Sequence, residues 1–581
     1  MNDLCRTLFV SLAMACSTVA ASAETITVCA DGCDYTSINA AINAASDGDV
    51  IQLAAETYFE GEQIDTLGKA ITLRGVLDKT GEPASVLDGA GKHRVLICQS
   101  GETEATVFEG LRIQNGSGEI GGGMRNEGSS VTLARCTFAD NVAGFFGGGM
   151  ANLASQPTLT DCTFRNNSAS IGGGMYNALS SSPALIGCTF EGNSATTYEG
   201  GGMYNISSTP TLSDCAFMGN SAVFGGGMYN DSSSPDLSAC LFKGNSAEGG
   251  GGMHNEFSHP VLADCEFTNN MSDFGGGMSN VSSGPTLTKC VFTGNQSDKG
   301  GGMYNKIFSS PILTNCTFAG NSVGKDGGGM YNKAFSNPTL TNCTFTNNSA
   351  EDAGGGMANA FSSSPILTKC TFAGNAVEED GGGMYNYDDS SPMLADCVFT
   401  DNSGANGGGM YNTSSSPALA NCTFTGNSAS FGGGMCNALL ADELGGGMSN
   451  DYTLSAPTLT NCTFAGNSVE EDGGGMYNKD ASRPSLAECT LCENLPDQIG
   501  GFWTDAGGNC VATSCGDCEP PPLPCPGDLD QNGEVDASDL GLLIAAWNTD
   551  GSIVVGSDIN GDEVVDGVDL GLLIEAWGSC T

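Results

Sequence analysis

Residues 310–336 read SPILTNCTFAGNSVGKDGGGMYNKAFS, and a near copy of this stretch follows it and precedes it many times over. The hexapeptide at its centre, as in GGGMYN at 225–230, occurs fifteen times. Its Met residues run from Met124 to Met476 at spacings of 25 to 28 residues, apart from one 13-residue step between Met435 and Met448. A single glycine-rich loop that cradles phosphate needs one copy feeding a helix, and no helical pattern follows any of these. A fixed period of this length is the signature of a solenoid.

Three further positions keep the same period. Cys recurs from Cys136 to Cys489, Phe follows two residues later in every copy but the last, where Leu491 replaces it, and Asn stands three residues beyond. In a stretch such as TLTNCTF, Leu, Cys and Phe are expected on one face of a half-buried strand, with Thr and Asn or Asp on the other. A unit of about 25 residues without an amphipathic helix leaves short strands joined by Gly, Asn and Ser turns. One coil cannot bury its Leu, Cys, Phe and Met alone, but coils stacked at about 4.8 Å turn each into a continuous ladder. The glycines then mark a corner where a Cβ would clash, Met fills the core and Tyr points outward. The Asn takes left-handed geometry and bonds its counterparts in the coils above and below.

The paired signatures Phe318 to Asn321 and Phe345 to Asn348, with the Gly-Gly-x-hydrophobic corner, resemble the repeats of chlamydial polymorphic outer-membrane proteins and related right-handed β-helix proteins. The segment YTSINAAINAASDGDVIQLAAETYFEG at 35–61 is similar to the first coil of many such proteins, carbohydrate-active ones included. The resemblance spans roughly residues 25–510 and implies a fold, not an activity.

The chain has 581 residues, 66 acidic against 19 basic, for a formal charge of −47. That field repels nucleic acid and anionic membrane surfaces and suits divalent cations. Residues 1–23 carry Arg6, an apolar run from Leu8 to Ala15, and Ala21-Ser22-Ala23 before Glu24, the layout of a secretory signal. Neither this run nor any later one is long enough to span a bilayer. An extracellular or cell-surface protein follows, in a compartment where disulfides persist.

After the proline-rich run at 519–527 come DLDQNGEVDASDLGLLIAAW and, thirty residues on, DINGDEVVDGVDLGLLIEAW. Twelve-residue calcium loops place oxygens at positions 1, 3, 5, 7, 9 and 12, because a hard ion needs many oxygens converging from one tight turn. Asp528, Asp530, Asn532, the Glu534 carbonyl, Asp536 and Asp539 fit the first loop; Asp558, Asn560, Asp562, the Val564 carbonyl, Asp566 and Asp569 fit the second. The duplication, with Asp at position 12 and an apolar helix directly after, resembles the dockerin domains of secreted cellulosome-type and planctomycete-type proteins. It implies calcium as cofactor and a cohesin-like or cell-surface protein as partner. Loop two departs from the pattern with Glu563 at position 6 and Gly561 at position 4, so loop one is expected to be the stronger site. No Lys or Arg occurs from Pro484 to Thr581. The helices are expected to start near Asp539 and Asp569 and to pack Leu540, Leu543, Ile544 and Trp547 against Leu570, Leu573, Ile574 and Trp577.

The expected organisation is therefore an all-β right-handed parallel β-helix with a small α-helical dockerin or EF-hand-like domain. Its parts are a signal peptide at 1–23, an N-terminal cap and first coils at 24–110, and repeats at 111–495. A C-terminal cap at 496–518, a linker at 519–527 and the calcium domain at 528–581 complete it. The Cys ladder reads as small buried hydrophobes. Cys489-x-x-Cys492 and Cys515-x-x-Cys518 have zinc-like spacing but are expected as disulfides of a cap, with Cys29–Cys33 and Cys525–Cys580 as further pairs. Tyr176, Tyr204, Tyr229, Tyr304, Tyr331, Tyr385, Tyr411 and Tyr477 form a candidate outward stripe for stacking sugars. Asp326, Asp352, Asp380 and Asp472 read as solvated turn acids, with an acidic ridge that collects calcium as the alternative, Lys289 and Asp264 as a ladder ion pair, and His254 and His259 as surface variation. The surplus between Met435 and Met448 is expected to leave the stack. No break in the repeat gathers catalytic groups, so no catalytic residue is assigned. The reading is a structural, adhesion or glycan-binding rod tethered through its calcium module, with a polysaccharide-degrading enzyme, pectate-lyase-like or a glycoside hydrolase, as the alternative.

Overall fold

The computed structural model describes residues 23–438, 455–479, 482–518, 527, 529, 534–549, 557, 559 and 564–579. Each repeated coil contributes a strand to each of three long ladders, each strand pairing in parallel with its counterparts one coil above and below, and some coils add a fourth strand before the glycines, such as Ser322–Asp326. In the coil quoted above the three ladder strands are a Leu strand, Ile312–Thr314, a Phe strand, Thr317–Ala319, and a Met strand, Met330–Lys333. Their copies make three long ladders; the Leu ladder alone has 19 strands. About 18 turns result, a stack on the order of 85 Å long at the usual strand spacing. Pairing is in register and like on like, as in Leu313 with Leu340, Phe318 with Phe345 and Met330 with Met357.

The stretch TLTNCTF is two strands and not one. The residue before each Cys lies in the left-handed region, with φ of 56° at Asn315 and 53° at Asn342, and this turns the chain through a corner. Leu313 and Cys316, three residues apart, both face inward because that residue resets the alternation. Contrary to expectation, the Asn of the hexapeptide does not take left-handed geometry; Asn332 lies within the Met strand. The left-handed residues there come after it, at Ala334 and Phe335.

The three glycines meet a different demand. A Cβ on Gly328 would stand 2.3 Å from the Gly355 carbonyl oxygen, and one on Gly329 2.5 Å from that of Gly356. Successive coils touch backbone to backbone here, so the triplet recurs because nothing larger fits.

Inside, Leu, Cys, Phe and Met are fully buried, and Phe rings from Phe138 to Phe464 stack with centroids 4.6–4.8 Å apart. The Cys ladder is a run of free buried thiols, as expected of small core fillers. Burial pushes the Cys162 thiol well up, which keeps it protonated and inert. Two rows of buried Asn run beside them. The Asn348 amide donates to Asn375 Oδ1 at 2.9 Å and to the Phe318 carbonyl at 2.9 Å. Its oxygen accepts from the Asn321 amide at 2.9 Å and the Asn321 backbone N–H at 3.1 Å. Every strong donor and acceptor of that side chain is used. The hexapeptide Asn forms the second row, with Asn332 donating to Asn359 Oδ1 at 2.8 Å.

The ends are closed differently. Helix α1, Ile38–Ala44, is capped by Ser37 and buries Ile38, Ala41 and Ile42 over the first coils. At the other end disulfides join Cys492 to Cys515 and Cys510 to Cys518, and Cys29 to Cys33 closes a loop near the N-terminus. The zinc-like spacing is thus a disulfide cap, with Cys510 as a partner and Cys489 remaining in the ladder. Cys525 and Cys580, like residues 1–22 and most of 519–527, lie outside the described residues.

Met435, Cys436 and Asn437 belong to a true rung, pairing with Met410, Tyr411 and Asn412 on one side and Met476, Tyr477 and Asn478 on the other. The surplus therefore begins after Ala438, later than Cys436, and Met448 lies outside the described residues. Deleting Leu439–Tyr452 joins MCNA to TLS, which has the length of MYNKIFS at 303–309. This deletion is expected to preserve cooperative unfolding with little change in Tm; loss of folding would contradict the register. Lys369 holds a left-handed φ of 55° between Asn342 and Asp396 on an exposed corner. Lys369→Asn is expected to raise stability by roughly 0.5–1 kcal/mol in chemical denaturation, because Asn tolerates that backbone.

Candidate metal centre

The two acidic loops each feed a nine-residue helix, α2 at Ala537–Ala545 and α3 at Gly567–Glu575. Both start two residues before the expected Asp539 and Asp569, because Asp536 and Asp566 are the caps. Asp536 accepts from the Ser538 N–H while Asp539 accepts from the Asp536 N–H, a reciprocal capping box repeated at Asp566 and Asp569. These two pairs are positions 9 and 12 of the loops.

Position 12 does more than cap. Asp539 is fully buried, its Oδ1 accepting from Leu529 N at 2.6 Å and its Oδ2 from Asp536 N at 2.8 Å. Asp569 repeats this, with Ile559 N at 2.7 Å and Asp566 N at 2.8 Å. Each carboxylate thereby ties position 2 of its loop to position 9 and closes the turn. The loops are also cross-braced: Glu534–Val535 pairs antiparallel with Gly578–Ser579, and Val565 exchanges hydrogen bonds with Asn548 and Thr549.

This arrangement fits a hard cation. Two carboxylates are buried in a stretch of sequence that contains no basic side chain, and isolated buried charge is costly unless paired or bound to metal. Bound calcium would supply the missing positive charge. Asp539 and Asp569 would hold it at position 12, Asp536 and Asp566 at position 9, and the Glu534 and Val564 carbonyls at position 7. Asp528, Asp530, Asn532, Asp558, Asn560 and Asp562 lie outside the described residues.

The helix packing differs from expectation. Val535, Leu543, Ala546, Val565 and Leu573 form the small core, with Leu540 and Leu570 against it. Ile544 and Ile574 are 58% and 57% exposed, and Trp547 and Trp577 face solvent as well. The core accepts one side chain per helix turn, which leaves the other apolar residues on a second, outward face.

The tyrosine stripe is also corrected. Tyr204, Tyr229, Tyr304 and Tyr331 are buried, stacked on one another, and covered by residues that precede the glycine triplets, such as Phe274 on Tyr304 at 5.5 Å. The row is a second core layer on the outside of the Met strands. His254 takes a place in it, parallel to Tyr229 at 5.0 Å, and burial lowers its pKa to about 4, so it is neutral and no surface variant. His259 is a loop acceptor for Gly284 N. The turn acids split. Asp352 and Asp472 are exposed, Asp326 pairs with Lys299, and Asp380 accepts from Asn406 at 2.8 Å with its pKa pushed up to about 6 by burial. Lys289 and Asp264 form the expected exposed pair at 3.9 Å.

One group was not foreseen in the sequence. Arg112, Asp140, Arg165 and Glu191 line a shallow cleft of ≈ 620 Å³ along the first coils, with Arg112 Nη2 3.9 Å from Asp140. These residues are scattered over four periods, and only the register assembles them.

Residues 172–296 and 278–440 match the family model of the right-handed β-helix region, and residues 526–577 that of the dockerin type I domain. The chain is a right-handed parallel β-helix repeat protein with a C-terminal dockerin type I domain. No curated protein sequence matches it. Among solved structures it is similar to a mannuronic-acid-specific polysaccharide family 6 lyase from human gut microbiota, with 12% identity over 68% of this chain and 86% of that one at a TM-score of 0.30. It is also similar to the receptor-binding domain of the siphovirus 9NA tailspike, with 12% identity, 74% and 78% coverage and a TM-score of 0.26. A third is the A-module of the Azotobacter vinelandii mannuronan C-5 epimerase AlgE6, with 12% identity, 83% and 93% coverage and a TM-score of 0.22. Likeness at this level carries nothing about activity.

Dockerin type I domains bind calcium. Calcium is expected to raise the helix content of residues 534–579 and to shift Trp547 and Trp577 fluorescence, with EDTA reversing both. Asp539→Ala is expected to weaken the tighter site about tenfold or more in titration calorimetry, and Asp569→Ala to affect only the weaker one. Unchanged spectra at millimolar calcium would contradict the assignment.

Proposed function

We propose that this chain is a secreted or cell-surface rod that serves adhesion or glycan binding and is tethered through its calcium-dependent C-terminal module. A β-helix joined to a dockerin suits a cell-surface or cellulosome-type protein. The observation that carries the tether is the duplicated outward face. Ile544 and Trp547 on α2 match Ile574 and Trp577 on α3, all at least 36% exposed, on a domain too small to need them for its own core. Such a face suits a protein partner of the cohesin type. The coils between the caps repeat one packing solution, which suits a spacer.

A second reading, a polysaccharide-degrading enzyme brought to its substrate by the same module, is favoured by the Arg112, Asp140, Arg165 and Glu191 cleft, where guanidinium and carboxylate groups share one face. The expected outcome separates the two. The purified chain should be retained by a cohesin-bearing surface in calcium and released by EDTA, with Ile544→Asp plus Ile574→Asp abolishing retention. Across a polysaccharide panel it should bind without releasing product. Product release that Arg165→Ala removes would replace the rod by the enzyme, and calcium-independent retention would remove the tether.

A further inference from the structure

On three successive coils, Phe308, Phe335 and Phe361 sit at the corner that follows the Met strand, 67%, 51% and 42% exposed. All three have left-handed backbones, with φ of 57°, 60° and 54°. This conformation costs a bulky L-residue on the order of 1–2 kcal/mol. Other coils place Ser there, as at Ser207 and Ser232, or a single apolar residue without an aromatic neighbour, as at Leu179 and Phe257. Nothing in the core requires these rings. Phe308 and Phe335 stack on each other at 5.4 Å, nearly parallel, and Tyr387 in the next coil meets Phe361 edge on at 5.5 Å. The result is a run of aromatic rings along the rod that shifts by one residue at Phe361, since the register sets Phe335 opposite Ser362.

Beside it lie Lys306 and Lys333, directly opposite each other in adjacent Met strands. Like charges in that relation repel. Among the described residues no carboxylate lies within ion-pair distance of either, although the chain has 66 acidic and only 19 basic side chains. The nearby acid, Asp326, is already paired with Lys299. Lys333 Nζ stands 5.0 Å over the Phe361 ring, so the two rows form one surface. Its pKa is lowered by burial and by Lys299 and Lys306, against the pull of Asp326.

We infer that Lys306, Phe308, Lys333, Phe335, Phe361 and Tyr387 form a binding site for a linear acidic polysaccharide, a reading that rests on the glycan-binding rod above and names its ligand class. Sugar rings stack on the aromatic file, and their anionic groups neutralise the two lysines. A net charge of −47 disfavours the denser charge of nucleic acid, whereas a chain with about one anion per ring matches two amines.

The full chain is titrated with polygalacturonate, dextran sulfate and neutral dextran in EDTA, where calcium-dependent docking is silent and its failure is a separate result. Binding to at least one anionic polymer is expected, weakening as salt rises, with none to neutral dextran. Phe308→Asn plus Phe335→Asn should weaken it at least tenfold while Tm stays unchanged or rises, since Asn relieves the backbone. Lys306→Gln plus Lys333→Gln should weaken it at least tenfold and flatten the salt dependence. Failure to bind either anionic polymer, equal binding of neutral dextran, or wild-type affinity in the Gln variant overturns the site. So does a fall in Tm of the Asn variant with affinity retained, which would make the rings structural.

Discussion

A buried side-chain amide is satisfied here by its own copies one coil above and below, together with one backbone carbonyl. Asn348 spends its donors and acceptors on Asn375, Asn321 and Phe318, and each neighbour does the same in turn. An unpaired amide in such a core costs about 1–3 kcal/mol, so a slip of one residue along any coil would be penalised at every rung it touched. The Phe stack, the thiol row and the glycine contacts all sit at the spacing that this pairing sets. Stability is then close to a sum of identical interfaces between neighbours.

The same repetition decided what could be read in advance. Period, inward Leu, Cys, Phe and Met and the duplicated dockerin-type segment were legible because each is written more than once, and the Cys29–Cys33 bridge because the two cysteines stand four residues apart. What was not legible depends on groups brought together across coils. The tyrosines look outward from their own strands, but Phe146, Phe224 and Phe274, from segments that vary in length and composition, close over that face. The corner before each Cys was missed because Lys, Ala, Arg and Glu occupy it as well as Asn and Asp, so no residue type announces it. In the C-terminal domain the apolar pattern could not say which of Leu543 and Ile544 faces in, since a nine-residue helix with a core on one side leaves both close to the boundary.

The metal loops and the rod obey opposite economies. In the repeated coils charge is kept outside and the buried asparagines are neutral and mutually bonded. In the loops, the carboxylates of Asp539 and Asp569 are buried and held in place by backbone N–H groups. One part is complete by itself and the other has buried carboxylates that a bound cation would complete, so under the proposed tether ionic conditions would attach or release the rod without disturbing it.

The in-register stack also makes length a counted quantity. Because any interior coil presents the same top and bottom, whole periods can be gained or lost by duplication in the gene while α1 at one end and the paired cysteines at the other still fit. Each such event moves a feature on the surface relative to the tail by about 4.8 Å and turns it by a small fixed angle. The molecule is in this sense a ruler whose divisions inheritance can edit one at a time.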